Sequence, residues 1–312
     1  MGQNVLAQNG KEGSYTVRWV SEYPSSENKQ NQSFKEKVSD LVFGKKKVEI
    51  SKPFAILGEG PNRFWLLDQG TGSLANITDG NIEIPFAFRK ENTIYPSLTG
   101  ICFFQDKQIL FSDSRLNKIF ILSANQKQLK VLNDSLSLEQ PTGIAWSPIN
   151  NEIWVVETSA HRIAVLSPFG KIIRRFGKRG GGPGEFNYPT YIWVDTHGNV
   201  YIVDSMNFRL QIFNNKGDYI SSFGEIGDAS GYFARPKGVA TDSQGNIYIA
   251  DALFHAVQIF DKKGSFLSYF GTQGHDKEEF WMPTGIFIDK NDYIYVADTY
   301  NSRVQIFQLV EE

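Results

Sequence analysis

The chain contains one pattern that is repeated three times with a constant spacing of 47 residues. Each copy has a proline, a short apolar run, a turn with Gly or Asn, an Ile/Val-Tyr-Ile/Val-x-Asp segment and a Val/Leu-Gln-Ile-Phe segment. The copies occupy 187–213, 234–260 and 281–307. A period of this length is typical of repeat proteins, in which each unit packs on its neighbours. The repeat therefore predicts one closed array rather than the two domains that 312 residues would otherwise suggest.

Weaker copies of the pattern precede these three. The acid that ends the second strand of each repeat recurs at Asp68, Asp113, Glu157, Asp204, Asp251 and Asp298. Each repeat has four short strands, which we call a to d. In the fifth repeat they are predicted at 236–242, 246–251, 256–261 and 266–271. Six four-stranded antiparallel units, from about residue 48 to 309, predict an all-β six-bladed β-propeller.

The two ends of the chain predict how the ring closes. The last repeat stops after its third strand, because only five residues follow Phe307. The segment 15–23 alternates apolar and polar residues, and we expect it to supply the missing strand d, with 38–43 as a second candidate. The polar segment 1–14 is expected to be disordered. The segment 33–44 has helical periodicity and capping-box spacing, which predict one short N-terminal helix within a single propeller over 15–312.

Composition excludes several classes of function. The net charge of −2 gives no overall electrostatic footprint for nucleic acid, and no run of 18 apolar residues could span a membrane. Cys102 is the only cysteine, which excludes an internal disulfide framework and a Cys-rich zinc site. We therefore expect no nucleic acid partner and no membrane span, and we also expect a monomer.

Three segments resemble NHL repeats: FNYPTYIWVD…GNVYIVDSMNFRLQIF, FARPKGVATD…GNIYIADALFHAVQIF and MPTGIFID…YIYVADTYNSRVQIF. The N-terminal arrangement also resembles bacterial NHL-propeller proteins that are made with lipoprotein or secretory signals. This resemblance implies an extracytoplasmic protein, periplasmic or membrane-anchored, with a lipid anchor on a native N-terminus that this sequence does not include. A cytoplasmic location is the alternative.

Antiparallel connectivity sorts the loops onto two faces. The d–a and b–c connections emerge on one face, which we call the loop face, and the a–b and c–d turns emerge on the other, the turn face. The long d–a connections at 177–188, 224–235 and 271–282 place most of the varied loops on the loop face. Each ends in a phenylalanine that we expect to wedge between blades, at Phe186, Phe233 and Phe280. The recurring acids are also expected to be structural, because catalytic residues should interrupt a repeat.

Departures from the repeat on the loop face identify candidate ligand-binding residues. In four other repeats a base lies five residues after the acid, but Asp251 is followed at that position by Ala256. His255 lies directly before Ala256. The other candidates are imidazole or aromatic side chains on the same face. The predicted ligand-binding residues are His161, Tyr191, Phe208, Asp251, His255 and Tyr300.

These observations favour a non-catalytic binding or scaffold propeller, without metal or cofactor, that engages a protein, peptide or glycan through the loop face. The alternative is a metal-dependent, lactonase-like hydrolase or lyase with its site at the channel mouth. The lyases among NHL-type propellers hold zinc through histidines directly after the strand-a prolines. The corresponding residues here are Phe54, Ser97, Thr142, Thr190, Lys237 and Thr284. None is a histidine, which argues against that activity.

Overall fold

The computed structural model describes residues 4–7, 14–25, 49–91, 95–133 and 136–312. Within these residues, 25 strands form six sheets, and each sheet is one blade. The innermost strands of consecutive blades contact one another around the ring, and the last blade contacts the first. The predicted all-β six-bladed propeller is confirmed.

Two strands precede the first blade, and blades one to three follow in chain order. The two strands are β1 (Asn4–Ala7) and β2 (Ser14–Tyr23). Blade one has β3 (Pro53–Gly58), β4 (Arg63–Asp68), β5 (Ser73–Thr78) and β6 (Asn81–Glu83). Blade two has β7 (Leu98–Phe104), β8 (Gln108–Asp113), β9 (Lys118–Leu122) and β10 (Leu129–Val131). Blade three has β11 (Pro141–Ser147), β12 (Glu152–Glu157), β13 (Arg162–Leu166) and β14 (Ile172–Phe176).

The three most regular repeats form the remaining blades. Blade four has β15 (Pro189–Val194), β16 (Val200–Asp204), β17 (Arg209–Phe213) and β18 (Tyr219–Phe223). Blade five has β19 (Pro236–Thr241), β20 (Ile247–Asp251), β21 (Ala256–Phe260) and β22 (Phe266–Phe270), within one residue of the prediction at each end. Blade six has β23 (Ile286–Ile288), β24 (Tyr293–Asp298) and β25 (Arg303–Glu311). Short 3-10 turns lie at Gln105–Lys107, Thr158–Ala160, Ser205–Asn207 and Thr299–Asn301.

The N-terminal strand β2 completes blade six. It pairs antiparallel with β25, from Tyr15 opposite Glu311 to Tyr23 opposite Val304, so it is the missing strand d and the predicted ring closure is confirmed. Strand β1 pairs with its outer edge as a fifth strand. The disorder expected for 1–14 stays a prediction. The predicted helix at 33–44 and the alternative closing strand at 38–43 lie outside the described residues.

A short helix, α1 (Phe86–Glu91), lies between blades one and two and was not predicted from the sequence. No helix in the described ranges is long and apolar enough to cross a membrane.

The core is divided among the junctions between blades. Six hydrophobic clusters are present, one between each pair of neighbouring blades. Strands β16 and β20 are buried along their whole length, because each is covered by blades on both sides. This arrangement explains why strands b are apolar on both faces.

The three predicted wedge phenylalanines have no exposed surface and fill the junctions on the loop-face side. They are Phe186, Phe233 and Phe280. Gly177 has a φ of +92°, and a Cβ added there would lie 2.6 Å from the Phe186 ring. Gly224 and Gly271 meet the other two phenylalanines in the same way. The glycine of each Phe-Gly segment therefore leaves space for the wedge phenylalanine. Burial of each ring contributes about 1.5–3 kcal/mol to stability.

Candidate functional site

The six recurring acids of the loop face are enclosed by the fold. Each is at most 2% exposed, and each accepts at least one backbone N–H from the d–a connection that enters its own blade. In blade six, for example, Asp298 accepts the Trp281 N–H at 2.7 Å and pairs with Arg303 at 2.8 Å. The acids therefore anchor the long connections, as predicted, and do not form a catalytic ring.

Asp251 follows the same rule even though no base pairs with it. Its carboxylate accepts four backbone N–H groups, from Ala234, Arg235, Leu253 and Phe254. Burial raises its pKa, and these hydrogen bonds oppose the rise. Because its carboxylate has no exposed surface, Asp251 is not open to a ligand, contrary to the sequence-based expectation.

The two candidate histidines connect neighbouring blades. His161 in blade three accepts the Tyr188 N–H of blade four through Nδ1 at 3.1 Å, and the two rings are 4.4 Å apart. His255 in blade five accepts the Met282 N–H of blade six in the same way at 3.2 Å. Burial lowers the pKa of His255, although the Asp298 and Asp251 charges oppose this effect. A neutral imidazole is the form that these hydrogen bonds require.

Tyr191 closes the central channel near the loop face. Its ring stacks on Phe54, with centroids 5.9 Å apart and an interplanar angle of 26°. Blades one and four lie on opposite sides of a six-membered ring, so this pair spans the channel. The Tyr191 hydroxyl is buried, which raises its pKa, and the nearby Thr284 hydroxyl opposes this rise.

The other two predicted residues lie apart from these. Phe208 is half-buried and packs on the cluster between blades four and five, whereas Tyr300 is 59% exposed with its ring 6.3 Å from Trp281. No ring contact in the described ranges joins two of the six predicted site residues. The six residues are therefore spread over the loop face and the channel, and their part in ligand binding stays a prediction. The same ranges contain no group of three or more His, Cys, Asp or Glu side chains placed to hold a metal ion.

A cavity of about 1140 Å³ opens on the turn face instead. Most of its lining comes from the a–b turns of five blades and from the ends of their inner strands. It also reaches the outer strands of blade four, at Ile212 and Ile220, and the c–d turn of blade five, at Lys262. The side chains of Phe103, Trp193 and Phe287 form its floor and separate it from a second, apolar cavity of about 210 Å³ inside the channel.

The three floor residues come from alternate blades, two, four and six. The Phe287 ring lies 5.5 Å from Trp193 and 6.2 Å from Phe103, both in edge-to-face geometry. The Trp193 Nε1–H donates to the Thr241 hydroxyl of blade five at 2.9 Å, which fixes the indole plane. The floor is therefore held in place before any ligand binds.

A second set of repeated acids lies at the rim of this cavity: Asp195, Asp242 and Asp289. Both carboxylate oxygens of Asp195 are occupied, one by the N–H groups of His197 and Asn199 and the other by Asn199 Nδ2 and the Tyr201 hydroxyl. Asp242 and Asp289 hold their own turns in a similar way, and each accepts a tyrosine hydroxyl from strand b. These acids stabilise the turns and leave other rim side chains available.

The available polar groups at the rim are three lysines, the Asn291 amide and an imidazole. The side chains of Lys107, Lys262 and Lys290 have no hydrogen-bond or ion-pair partner in the part of the chain that the structure describes. The exposed His197, which the sequence placed on this face, also lines the cavity. These groups surround the aromatic floor with donors and acceptors.

Sequence reasoning missed this site, although a signal was present. Trp193 and Phe287 are each the fourth residue after the strand-a proline, where blades three and five carry Ala145 and Ala240. An alternation of bulky aromatic and small residues at one position of a repeat indicates side chains that converge on the axis. Trp193 and Phe287 belong to the turn face, whereas the residues predicted to bind a ligand all belong to the loop face.

The fold and the axial cavity define this protein as a six-bladed β-propeller with a preformed pocket on its turn face. A family model described as a 6-bladed beta-propeller, DUF5128, matches residues 131–221 and 239–311, which is more than half of the chain. The chain therefore belongs to this 6-bladed beta-propeller family. The finer NHL assignment stays a prediction. No curated protein sequence matches the chain.

Solved structures share the fold at low sequence identity. An auxiliary nutrient binding protein from Bacteroides thetaiotaomicron is 12% identical, with a TM-score of 0.66 over 97% of this chain and 79% of that one. Virginiamycin B lyase from Staphylococcus aureus is 17% identical, with a TM-score of 0.58 over 84% and 96%. A gluconolactonase from Xanthomonas campestris is 11% identical, with a TM-score of 0.64 over 98% and 95%. At these identities the likeness concerns the fold alone.

Proposed function

We propose that this protein is a non-catalytic binding propeller that holds a glycan in the turn-face cavity. The observation that carries the proposal is a cavity of about 1140 Å³ with three fixed aromatic rings at its floor and unpaired polar side chains at its rim. A sugar ring has apolar C–H faces that pack on aromatic rings, and its hydroxyls both donate and accept hydrogen bonds. A mostly preformed pocket with few polar groups is the usual form of a small-ligand site.

A glycan is one of the three ligand classes that the sequence favoured, but the proposed site is on the opposite face. The likeness in fold to an auxiliary nutrient binding protein is compatible with a binding role. An extracytoplasmic location and a monomeric state remain part of the proposal. Cell fractionation and the native mass in solution test them.

A protein or peptide partner on the loop face is the second candidate function. Met206, Leu253 and Tyr300 occupy equivalent positions in blades four to six and are 54%, 51% and 59% exposed. Exposed apolar groups in neighbouring blades favour a partner contact. This surface ranks second because its three side chains line neither of the two cavities described above. The lactonase or lyase alternative rests on fold-level likeness alone.

Isothermal titration of a panel of neutral oligosaccharides tests the proposal. We expect binding by the native protein and an affinity loss of about tenfold or more in Trp193→Ala, because central aromatic residues dominate binding energy. Trp281→Ala, which removes an exposed tryptophan of the loop face, is the matched control and should bind normally. Absence of binding by the native protein, or loss of binding only in Trp281→Ala, would contradict the turn-face site.

A further inference from the structure

Blade five interrupts a hydroxyl pair that four other blades share at the loop-face end of strand a. In those blades the residue after the strand-a proline bonds to the residue after the acid. The pairs are Ser97–Ser114 at 2.7 Å, Thr142–Thr158 at 2.6 Å, Thr190–Ser205 at 2.5 Å and Thr284–Thr299 at 2.7 Å. Blade five has Lys237 and Ala252 at these two positions. An amine therefore replaces a hydroxyl, and its usual partner is replaced by a methyl group.

Lys237 lies at the start of β19, on the innermost strand. In blade one the same position holds Phe54, whose ring meets Tyr191 across the channel. This position therefore borders the axis at the loop-face mouth. The Phe54–Tyr191 pair and the aromatic floor separate this mouth from the turn-face cavity.

The Lys237 amine is half-buried and has no hydrogen-bond or ion-pair partner in the described ranges. Burial lowers its pKa to about 8, and the charge of Arg235 adds to this effect, while Asp251 opposes it. Asp251 makes no ion pair with the amine, and its carboxylate accepts backbone N–H groups instead. The Arg235 side chain is exposed. A partly desolvated cation without a direct ion-pair partner is an unfavourable arrangement that a bound anion would correct.

We propose that Lys237 and Arg235 form an oxyanion-binding site at the loop-face mouth of the channel, for a small ligand that carries a carboxylate or a phosphate. An ammonium and a guanidinium separated by one proline both donate charge-assisted hydrogen bonds to such groups. The site is independent of the turn-face cavity.

Labelling with pyridoxal 5′-phosphate tests the site, because this probe carries both an aldehyde and a phosphate. The Lys237 nitrogen adds to the aldehyde carbon, water leaves, and borohydride reduces the imine to a secondary amine that peptide mass spectrometry locates. We expect Lys237 to be labelled about tenfold faster or more than exposed Lys216, since ordinary lysines hold their proton at neutral pH. Pyridoxal without the phosphate should lose most of this preference.

Competition and variants complete the experiment. Inorganic phosphate and malonate should slow the labelling, and the stronger competitor identifies the preferred oxyanion. Arg235→Gln should reduce the preference for the anionic probe, and Lys237→Met should remove the label from this peptide, whereas Lys216→Met leaves it unchanged. Labelling that simply follows surface exposure, or that is equal for both aldehydes and insensitive to both anions, would overturn the proposal. Oligosaccharide binding by Lys237→Met reports separately on the turn-face cavity.

Discussion

The two faces of the propeller use similar residues for different purposes. On the loop face, the repeated acids and the two histidines hold the connections and link neighbouring blades, so little of their hydrogen-bonding capacity remains for a ligand. On the turn face, the acids hold their own tight turns, and the lysines, amides and aromatic rings between them line an open cavity. The comparison shows that a polar residue repeated in every blade stabilises the blade rather than binding a ligand.

The difference has a geometric cause. The d–a connections are long, and their backbone N–H groups need acceptors that the sheets do not supply. The a–b turns are short and satisfy their own backbone groups through a single aspartate. The rim lysines and His197 are therefore not needed to hold the turns and are available to bind a ligand.

The largest effect is expected from removing a loop-face acid. Asp298→Ala removes one of the two carboxylates that pair with the buried Arg303, the other being Glu22, and leaves the Trp281 N–H without its acceptor. The free energy of unfolding should therefore fall by about 3 kcal/mol. Urea denaturation measures the loss. Asp228→Ala, at an exposed position of the same face, should change stability little. Equal urea midpoints for the two variants would contradict the structural role of the acids.

A smaller effect, on affinity, is expected at the floor of the cavity. Phe287→Leu removes the ring that contacts both Trp193 and Phe103, and the affinity for a bound oligosaccharide should fall about tenfold. Tyr300→Leu removes an exposed ring of the loop face and should leave the affinity unchanged. If both variants weaken binding equally by calorimetry, the contrast between the faces does not hold.

A still smaller effect should follow the protonation of His255. Burial lowers its pKa in the folded state, so as pH falls through the ordinary histidine value of about 6.5 the unfolded chain takes up the proton first and stability decreases. The stabilising contribution is therefore complete above that pH and is lost below it. His255→Gln should lower stability by about 1 kcal/mol at pH 7.5 and weaken the pH dependence between 7.5 and 5.5.

The control for this measurement is His197→Gln, which replaces an exposed imidazole of the turn face. Its urea midpoints should follow those of the native protein at each pH. A pH dependence that persists unchanged in His255→Gln would show that another group is responsible.

The smallest effect is expected from metal removal. Chelator treatment should change neither the thermal midpoint nor oligosaccharide affinity, because the proposed site uses aromatic rings and unpaired polar side chains. Elemental analysis of the purified protein accompanies the test. Stoichiometric zinc or calcium whose removal abolishes binding would favour the enzymatic alternative.

Most of the fold could be predicted because its signals are local. Apolar runs and glycine turns predict the strands of blade five. The absence of a strand d at the end of the sixth repeat predicts that the segment 15–23 supplies it. The site could not be predicted in the same way. Asp251 is a candidate on sequence because it lacks a base, yet backbone N–H groups donate to its carboxylate. These hydrogen bonds cannot be predicted from the residue types nearby, because almost every residue has a backbone N–H.

By itself the sequence determined the number of blades, the closing strand and the structural character of the repeated acids, because spacing and turn residues are repeated along the chain. Only the tertiary structure decided that Phe103, Trp193 and Phe287 meet at the axis and that Tyr191 closes the other end of the channel on Phe54. These contacts join blades that are distant in sequence. They depend on the curvature of the closed ring and on the direction of each inner strand, which no local pattern encodes.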